Sequence, residues 1–322
     1  MMALPDYVNY GGSLRLTQPY LAQNVGFYGF VLKTDMAALQ KTIDIRLNAP
    51  AGGAVRFEPL GPFVILAFNA LQQLSSKNPP DSNKGSFSEK ECALWVPVID
   101  RVQDKTYWFH PYIFVDNPYA LALGREVYGF PKSLGVFNIP DTLSPTGTLS
   151  MQTWTLPKYS PDTRGSLAQL VEVGPVPQPV DNQAGVSPWN PIRDLKAFTD
   201  EIASRLRSQD SILDDIEVAI HVVEDLINRR APMVFLKQIP DVADPTKACY
   251  LSLIEAPSNM TGFNHGGLLH QHYQATFTPY DSHPIAADLG FTSATVPSVV
   301  SFYVEFNFEI DGGIEIWRAN TD

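Results

Sequence analysis

Residues 116–135 read DNPYALALGREVYGFPKSLG, and the single lysine of this stretch, Lys132, sits between Pro131 and Ser133. Leu121, Leu123, Tyr128, Phe130 and Leu134 surround it with apolar and aromatic groups. A lone amine in such company has two readings. One is a solvated loop lysine, since most lysines keep their charge in water. The other is a desolvated amine whose pKa falls toward neutrality, because burial disfavours the charged form. An amine of the second kind can attack a ketone and form a Schiff base. Residue types alone leave both open.

The chain around this stretch has the composition of a folded protein. Its 322 residues can bury a sizeable core, and 44% hydrophobic against 18% charged residues places it among globular chains. With 27 prolines, 21 glycines and many β-branched and aromatic residues, strands and turns are favoured over a helical bundle. The net charge of −11, with no run of Lys and Arg, works against nucleic acid and anionic membrane as partners. No segment is long and apolar enough for a membrane span, and the first residues have no basic-then-apolar leader pattern, so a soluble, cytoplasmic protein is expected. Cys92 and Cys249 lie in apolar, strand-like runs without C-x-x-C spacing and are expected as two buried free thiols, with a disulfide left open.

Upstream of Lys132, residues 1–24 are polar and turn-rich, which suggests an extended arm. A buried strand is expected at 27–32 and a helix after Thr34 or Asp35, with Met36, Leu39 and Ile43 on its apolar face. Strands at 54–60 and 63–70 are expected to pair through the Gly61-Pro62 turn. Residues 74–90 read as a polar loop, followed by strands at 92–99 and 106–115. A short helix is expected at 120–126.

Downstream, strands are expected at 146–156 and 167–173. A Pro- and Gly-rich stretch follows. Ile192, Leu195, Phe198, Ile202 and Leu206 then recur at helical spacing. A second helix is expected after Ser211, with Asp214 in a capping box and an apolar stripe from Ile212 to Ile227. The acidic residues on this pair read as a solvated face. Strands resume at 233–239, 248–256 and 270–278, and a hairpin is expected between 298–310 and 313–318. The pattern predicts one α+β domain over residues 1–322, a mostly antiparallel curved sheet or barrel with a loop and helical insertion at about 157–230.

Residues 116–132 resemble the acetoacetate decarboxylase family. The matching residues are Asp116-Asn117, Ala120, Ala122, Gly124-Arg125-Glu126 and Phe130-Pro131-Lys132, without a gap. Weaker matches keep chain order: Thr34-Asp35-Met36 with Ala38-Leu39, Val55-Arg56-Phe57-Glu58, and Phe235-Leu236-Lys237 with Ile239-Pro240 and Leu253-Ile254. The resemblance implies a cone-like, mostly antiparallel β-barrel of the acetoacetate decarboxylase type and a homo-oligomer. It gives Lys132 the role of Schiff-base nucleophile, and the activation of that lysine comes with the resemblance rather than from the residues. It implies no cofactor and a small keto acid or other carbonyl compound as substrate.

The resemblance also implies a glutamate near a Pro-Val strand. Glu91, six residues before Pro97-Val98, fits this role, and Glu89 fits it less well. A carboxylate there would stabilise an iminium or move protons. Arg125 and Glu126 would brace the lysine segment through an ion pair or touch substrate. Tyr128 and Phe130 would line a pocket or serve the core. Two positions depart from the family pattern: Ser133 stands where a second lysine is usual, and Val25 where an arginine is usual. With no adjacent cation, a lowered lysine pKa would have to come from burial. Both departures point away from acetoacetate itself.

His265, His270 and His272 form H-x4-H-x-H, with the last two on one strand face, but no third ligand is marked and no metal is expected. The leading expectation is therefore a carbon–carbon lyase that decarboxylates a β-keto acid. An aldolase-dehydratase using the same lysine is second. A binding or assembly protein that retained the barrel is third. The helical insertion could also serve as an interface or a lid.

Overall fold

The computed structural model describes residues 4–8, 15–140, 147–176, 191–208, 216–228, 231–269 and 271–320. The chain opens with β1 (Tyr20–Lys33), α1 (Met36–Ile43), β2 (Phe57–Pro59), β3 (Phe63–Ser76), β4 (Phe87–Asp100) and β5 (Lys105–Val115). Next come α2 (Pro118–Leu123), β6 (Lys132–Leu134), β7 (Val136–Asn138), β8 (Leu149–Thr155) and β9 (Ser166–Pro175). Two helices follow, α3 (Leu195–Arg207) and α4 (Ile216–Asn228). The remainder is β10 (Met233–Pro240), β11 (Ala248–Ala256), β12 (Ser258–Leu268), β13 (Tyr273–Phe277), α5 (Ile285–Asp288), β14 (Thr295–Ile310) and β15 (Ile314–Arg318).

Among the described residues fifteen strands join one sheet, ordered β15-β11-β10-β5-β4-β3-β1-β14-β13-β9-β8-β7, with β12 on β14, β2 on β4 and β6 on β5. Pairing is antiparallel except for β10 with β5 and β5 with β6. The expected mostly antiparallel sheet with few helices is therefore present. Closure into a barrel is not: the path runs open from β15 to β7 among the described residues.

The central strands are buried on both faces, which explains their near-continuous apolar runs. In β1, Phe27 and Val31 enter one core while Tyr28, Phe30 and Leu32 enter the other. In β4, Ala93 and Trp95 separate from Cys92, Leu94 and Val96 in the same way. Period-two alternation produces this division. α1 and α5 cover one face through Leu39, Ile43 and Ile285, and α3 and α4 cover the other through Phe198, Ile202, Leu206, Ile220 and Val223.

Several expectations are corrected. Residues 20–24 belong to β1 rather than to an arm, because β1 pairs along its length with β3 and β14. Asp35 caps α1 by accepting from the Ala38 N–H, but Met36 is exposed and Thr42 takes its place on the buried face. β2 pairs with β4, not with β3. β15 pairs with β11 rather than forming a hairpin with β14. The Gly- and Asn-rich β12 was not foreseen, since those residues seldom mark a strand. Its glycines admit neighbouring rings: a Cβ on Gly266 would lie 2.8 Å from the Phe198 ring. Both cysteines are free thiols, Cys92 buried and Cys249 exposed. Ser211, Ile212, Asp214 and His270 lie outside the described residues, and His272 precedes β13. No helix among the described residues is long and apolar enough to cross a membrane.

Candidate active site

The lysine segment is positioned by backbone chemistry on either side of it. Asn117 caps α2, its side chain accepting from the Tyr119 and Ala120 N–H groups, with Pro118 at the first helical position. The helix widens into a five-residue π-type turn, Gly124–Tyr128, and stops at Gly129, which takes φ +82°. The chain then turns into β6, which lies parallel to β5 with Lys132 opposite Ile113.

The Asp-Asn pair that opens the stretch fastens it to β4. The Lys90 N–H donates to Asp116 Oδ1 at 2.7 Å, and Asn117 Nδ2 donates to the Ser88 carbonyl at 2.8 Å. Between those anchors lies Glu89. Period-two alternation places Glu89 and Glu91 on the same face of β4 as Ala93 and Trp95. Lys132 meets them there. Its Nζ is 2.7 Å from Glu89 Oε1 and 3.7 Å from Glu91 Oε2. Asn69 Nδ2, across the ladder from Glu91, donates to Glu91 Oε1 at 2.9 Å.

These groups face a cavity of about 60 Å³. Its walls are mostly apolar, including Trp95, Leu123, Tyr128, Phe130 and Met233, and Tyr20, Asn69 and His110 add polar atoms. A register shift between Leu94 and Val96 sets Trp95 against the His110-Pro111 part of β5. The Trp95 and His110 rings lie 3.9 Å apart. Bulges of this kind re-aim side chains beside functional sites. No arginine lines this cavity among the described residues.

Lys132 is 7% exposed, and Glu89 is equally sequestered at 3%. Burial works to strip the proton from Lys132, but Glu89 and Glu91 outweigh it, so the amine is held above the ordinary lysine range. The lowered lysine pKa expected from the sequence is thus corrected: burial is present, and the adjacent carboxylates reverse its sign. Burial raises Glu89, the Lys132 charge pulls it back, and Glu91 and Asp116 push it up again, leaving it at about 7. Near neutral pH the amine therefore stays charged, and Glu89 is the partner that gains or loses a proton.

The expected site residues divide between this cavity and its outer side. Lys132, Glu91, Tyr128 and Phe130 line the cavity. Phe130 packs its ring 4.1 Å from that of Phe235, and the Tyr128 hydroxyl donates to the Asp311 carbonyl at 2.7 Å. Arg125 and Glu126 lie outside it. Arg125 Nη1 donates to the Lys132 carbonyl at 3.0 Å, so it braces the segment, though not through an ion pair with Glu126. Glu126 pairs instead with Arg15. Ser133 follows Lys132 in β6 and is not among the cavity-lining residues, as alternation along a strand predicts. Asn69 and His110 are residues that sequence reading missed, and Glu89, the poorer fit of the two glutamates by sequence, is the carboxylate nearer to Lys132. The signal for Glu89 was its i−2 spacing from Glu91, which extends the predicted strand backwards.

The fold and this constellation define a class: a mostly antiparallel β protein with a buried lysine–carboxylate pair. Residues 10–155 match the family model described as acetoacetate decarboxylase, so this region of the chain is similar to that family. Acetoacetate decarboxylase of Clostridium botulinum is 31% identical over 134 residues, 41% of this chain and 46% of the relative. The enzyme of Clostridium beijerinckii is 30% identical over 160 residues, 47% of this chain and 56% of the relative. The match thus spans about half the length of these curated relatives. The fold extends further. A crystal structure of acetoacetate decarboxylase from Legionella pneumophila superposes with a TM-score of 0.62 at 17% identity, covering 98% of this chain and 93% of that one. The enduracididine biosynthesis enzyme MppR, complexed with pyruvate, gives 0.55 at 14% identity over 95% and 94% of the two chains.

Proposed function

We infer that this protein is a Schiff-base-forming lyase that decarboxylates a small β-keto acid, with Lys132 as nucleophile. The observation that carries this reading is the buried Lys132–Glu89 pair, 2.7 Å apart in a mostly apolar cavity. A buried ion pair is costly to desolvate, and a substrate that displaces water from the cavity favours the neutral tautomer. The proton then passes from Nζ to Oε1, leaving a nucleophilic amine and a carboxylic acid side by side. The amine adds to the ketone, and Glu89 returns the proton to the departing hydroxyl as water is lost.

The resulting iminium accepts the electron pair of the C–C bond as carbon dioxide leaves. The enamine takes a proton at carbon, and water releases the ketone and regenerates Lys132. Glu91, held by Asn69, balances the iminium charge. A substrate carboxylate in this cavity meets Glu91 with no arginine to pair it. That setting disfavours the bound anion and rewards its loss as carbon dioxide. The assembly is proposed to be a cytoplasmic homo-oligomer acting on a small carbonyl compound.

Borohydride reduction in the presence of a β-keto acid tests this. The Lys132 peptide should gain the mass of the reduced ketone adduct, and Lys132→Ala should neither trap nor release carbon dioxide. Full activity in Lys132→Ala would falsify the reading. The same lack of an arginine favours a second reading, an aldolase-dehydratase acting on uncharged carbonyl compounds. Trapping at Lys132 with aldehyde condensation but no carbon dioxide would select it. Failure of every carbonyl compound to trap would select a binding protein.

A further inference from the structure

Behind the lysine segment, on the side away from the cavity, lies a groove of about 880 Å³. Its volume is in the range of small-molecule sites. Arg15, Arg125, Lys237 and Tyr7 line it, with Glu126 as the one carboxylate among the described residues. Glu126 is engaged by Arg15, whose guanidinium also contacts the Tyr7 hydroxyl. Arg125 spends one N–H on the Lys132 carbonyl. Neither Arg125 nor Lys237 forms an ion pair among the described residues. Glu315, on β15 two strands over from Lys237, is the carboxylate whose field reaches the amine, and it is engaged by the Tyr250 hydroxyl at 2.8 Å and by Arg318 at 3.9 Å.

A groove with net positive lining is unusual in a chain of net charge −11. The positive charge is also partly desolvated. Burial, and then the field of Arg15, hold Lys237 below the ordinary lysine range. Partly buried cations without counter-charges gain most from a bound anion, and a guanidinium fork matches carboxylate and phosphate oxygens.

We propose that this groove binds a small oxyanion, a carboxylate or phosphate, between Arg15, Arg125 and Lys237. The site lies outside the reaction cavity and touches the backbone that carries the lysine. A Cβ on Gly129 would sit 2.5 Å from the Lys237 Cα, so the two segments are in direct contact.

Calorimetric titration of inorganic phosphate and of succinate into the full chain, at constant ionic strength with chloride as control, tests the site. The expected result is saturable binding of one anion per chain by phosphate or succinate, and the tighter of the two identifies the oxyanion. Lys237→Gln and Arg15→Gln should each weaken it at least tenfold, and Lys237→Arg should retain it. Heats no larger than those of chloride, or binding unchanged in both glutamine variants, overturn the proposal. Thermal melting in chloride separates a folding defect from a lost site. Arg15 lies outside every strand, so its variant carries the test if Lys237→Gln does not fold. Arg125 is left intact because it braces Lys132. The titration needs no substrate, so its outcome is independent of the proposed lyase activity.

Discussion

Glu89 is the group we propose as proton carrier, and its contact with Lys132 distinguishes this site from a merely buried lysine. Its carboxyl is held at about 7, first by burial, against an ordinary 4.5. The folded chain therefore keeps a proton that the unfolded chain releases at lower pH. The stability tied to that proton is full below the unfolded value and is lost as pH rises through the folded one. Lys132, raised above the ordinary lysine range, contributes no slope in this window. Glu89→Gln should thus flatten the decline in stability between about pH 4.5 and 7, read from urea midpoints across that range. The same variant should lower turnover by about 10²- to 10⁴-fold, the usual loss when a general acid–base is removed. A single-turnover assay of trapping at Lys132 would place that loss at iminium formation. If trapping stays at its wild-type rate, Glu89 is not the proton carrier.

At the scale of elements, the lysine is aimed by a short helix, a widened turn and one left-handed residue. Gly124 leaves room for the amine's stem, since a Cβ there would lie 2.8 Å from Lys132 Cδ. Gly129 is more tightly constrained. Its φ of +82° is strained for any side chain, and the Cβ would strike the Lys237 backbone rather than a flexible side chain. Gly129→Ala should cost about 1–3 kcal/mol from the strained backbone alone, with more from the clash. Because the displaced segment carries Lys132, trapping should fall together with the melting temperature. Loss of stability with undiminished trapping would mean that the turn is not what aims the amine.

Across the whole molecule, the sheet separates two cores, and the Lys132 cavity belongs to the one capped by α3 and α4. Phe198 joins the helices to the sheet: it is fully buried, stacks on Phe263 and meets Phe302 edge-on. Phe198→Ala should destabilise the fold by about 3–5 kcal/mol through lost transfer energy and a residual cavity. No described residue of α3 or α4 lines the cavity, and we propose that these helices cover the sheet and leave access to Lys132 ungated. Trapping at Lys132 in folded Phe198→Ala should accordingly stay within a few-fold of wild type. A loss as large as that of Lys132→Ala would reinstate the lid.

Much of this was legible along the chain because period-two runs, glycine turns and helix caps are local. The strands at 233–239 and 248–256 emerged almost to the residue, and the cap of α1 fell on Asp35, one of the two residues expected. Residues 116–132 marked Lys132 as the nucleophile to test. Strand partners did not follow from the sequence, because pairing depends on residues far apart: β15 lies on β11 and β2 on β4. The state of the amine was equally non-local. Lys132 and Glu89 are 43 positions apart, and their 2.7 Å contact reverses the sign that burial alone would give. Local pattern marked the lysine and the strands, and the meeting of β4 with β6 set the charge the lysine carries, because electrostatic energy follows distance in space and not separation along the chain.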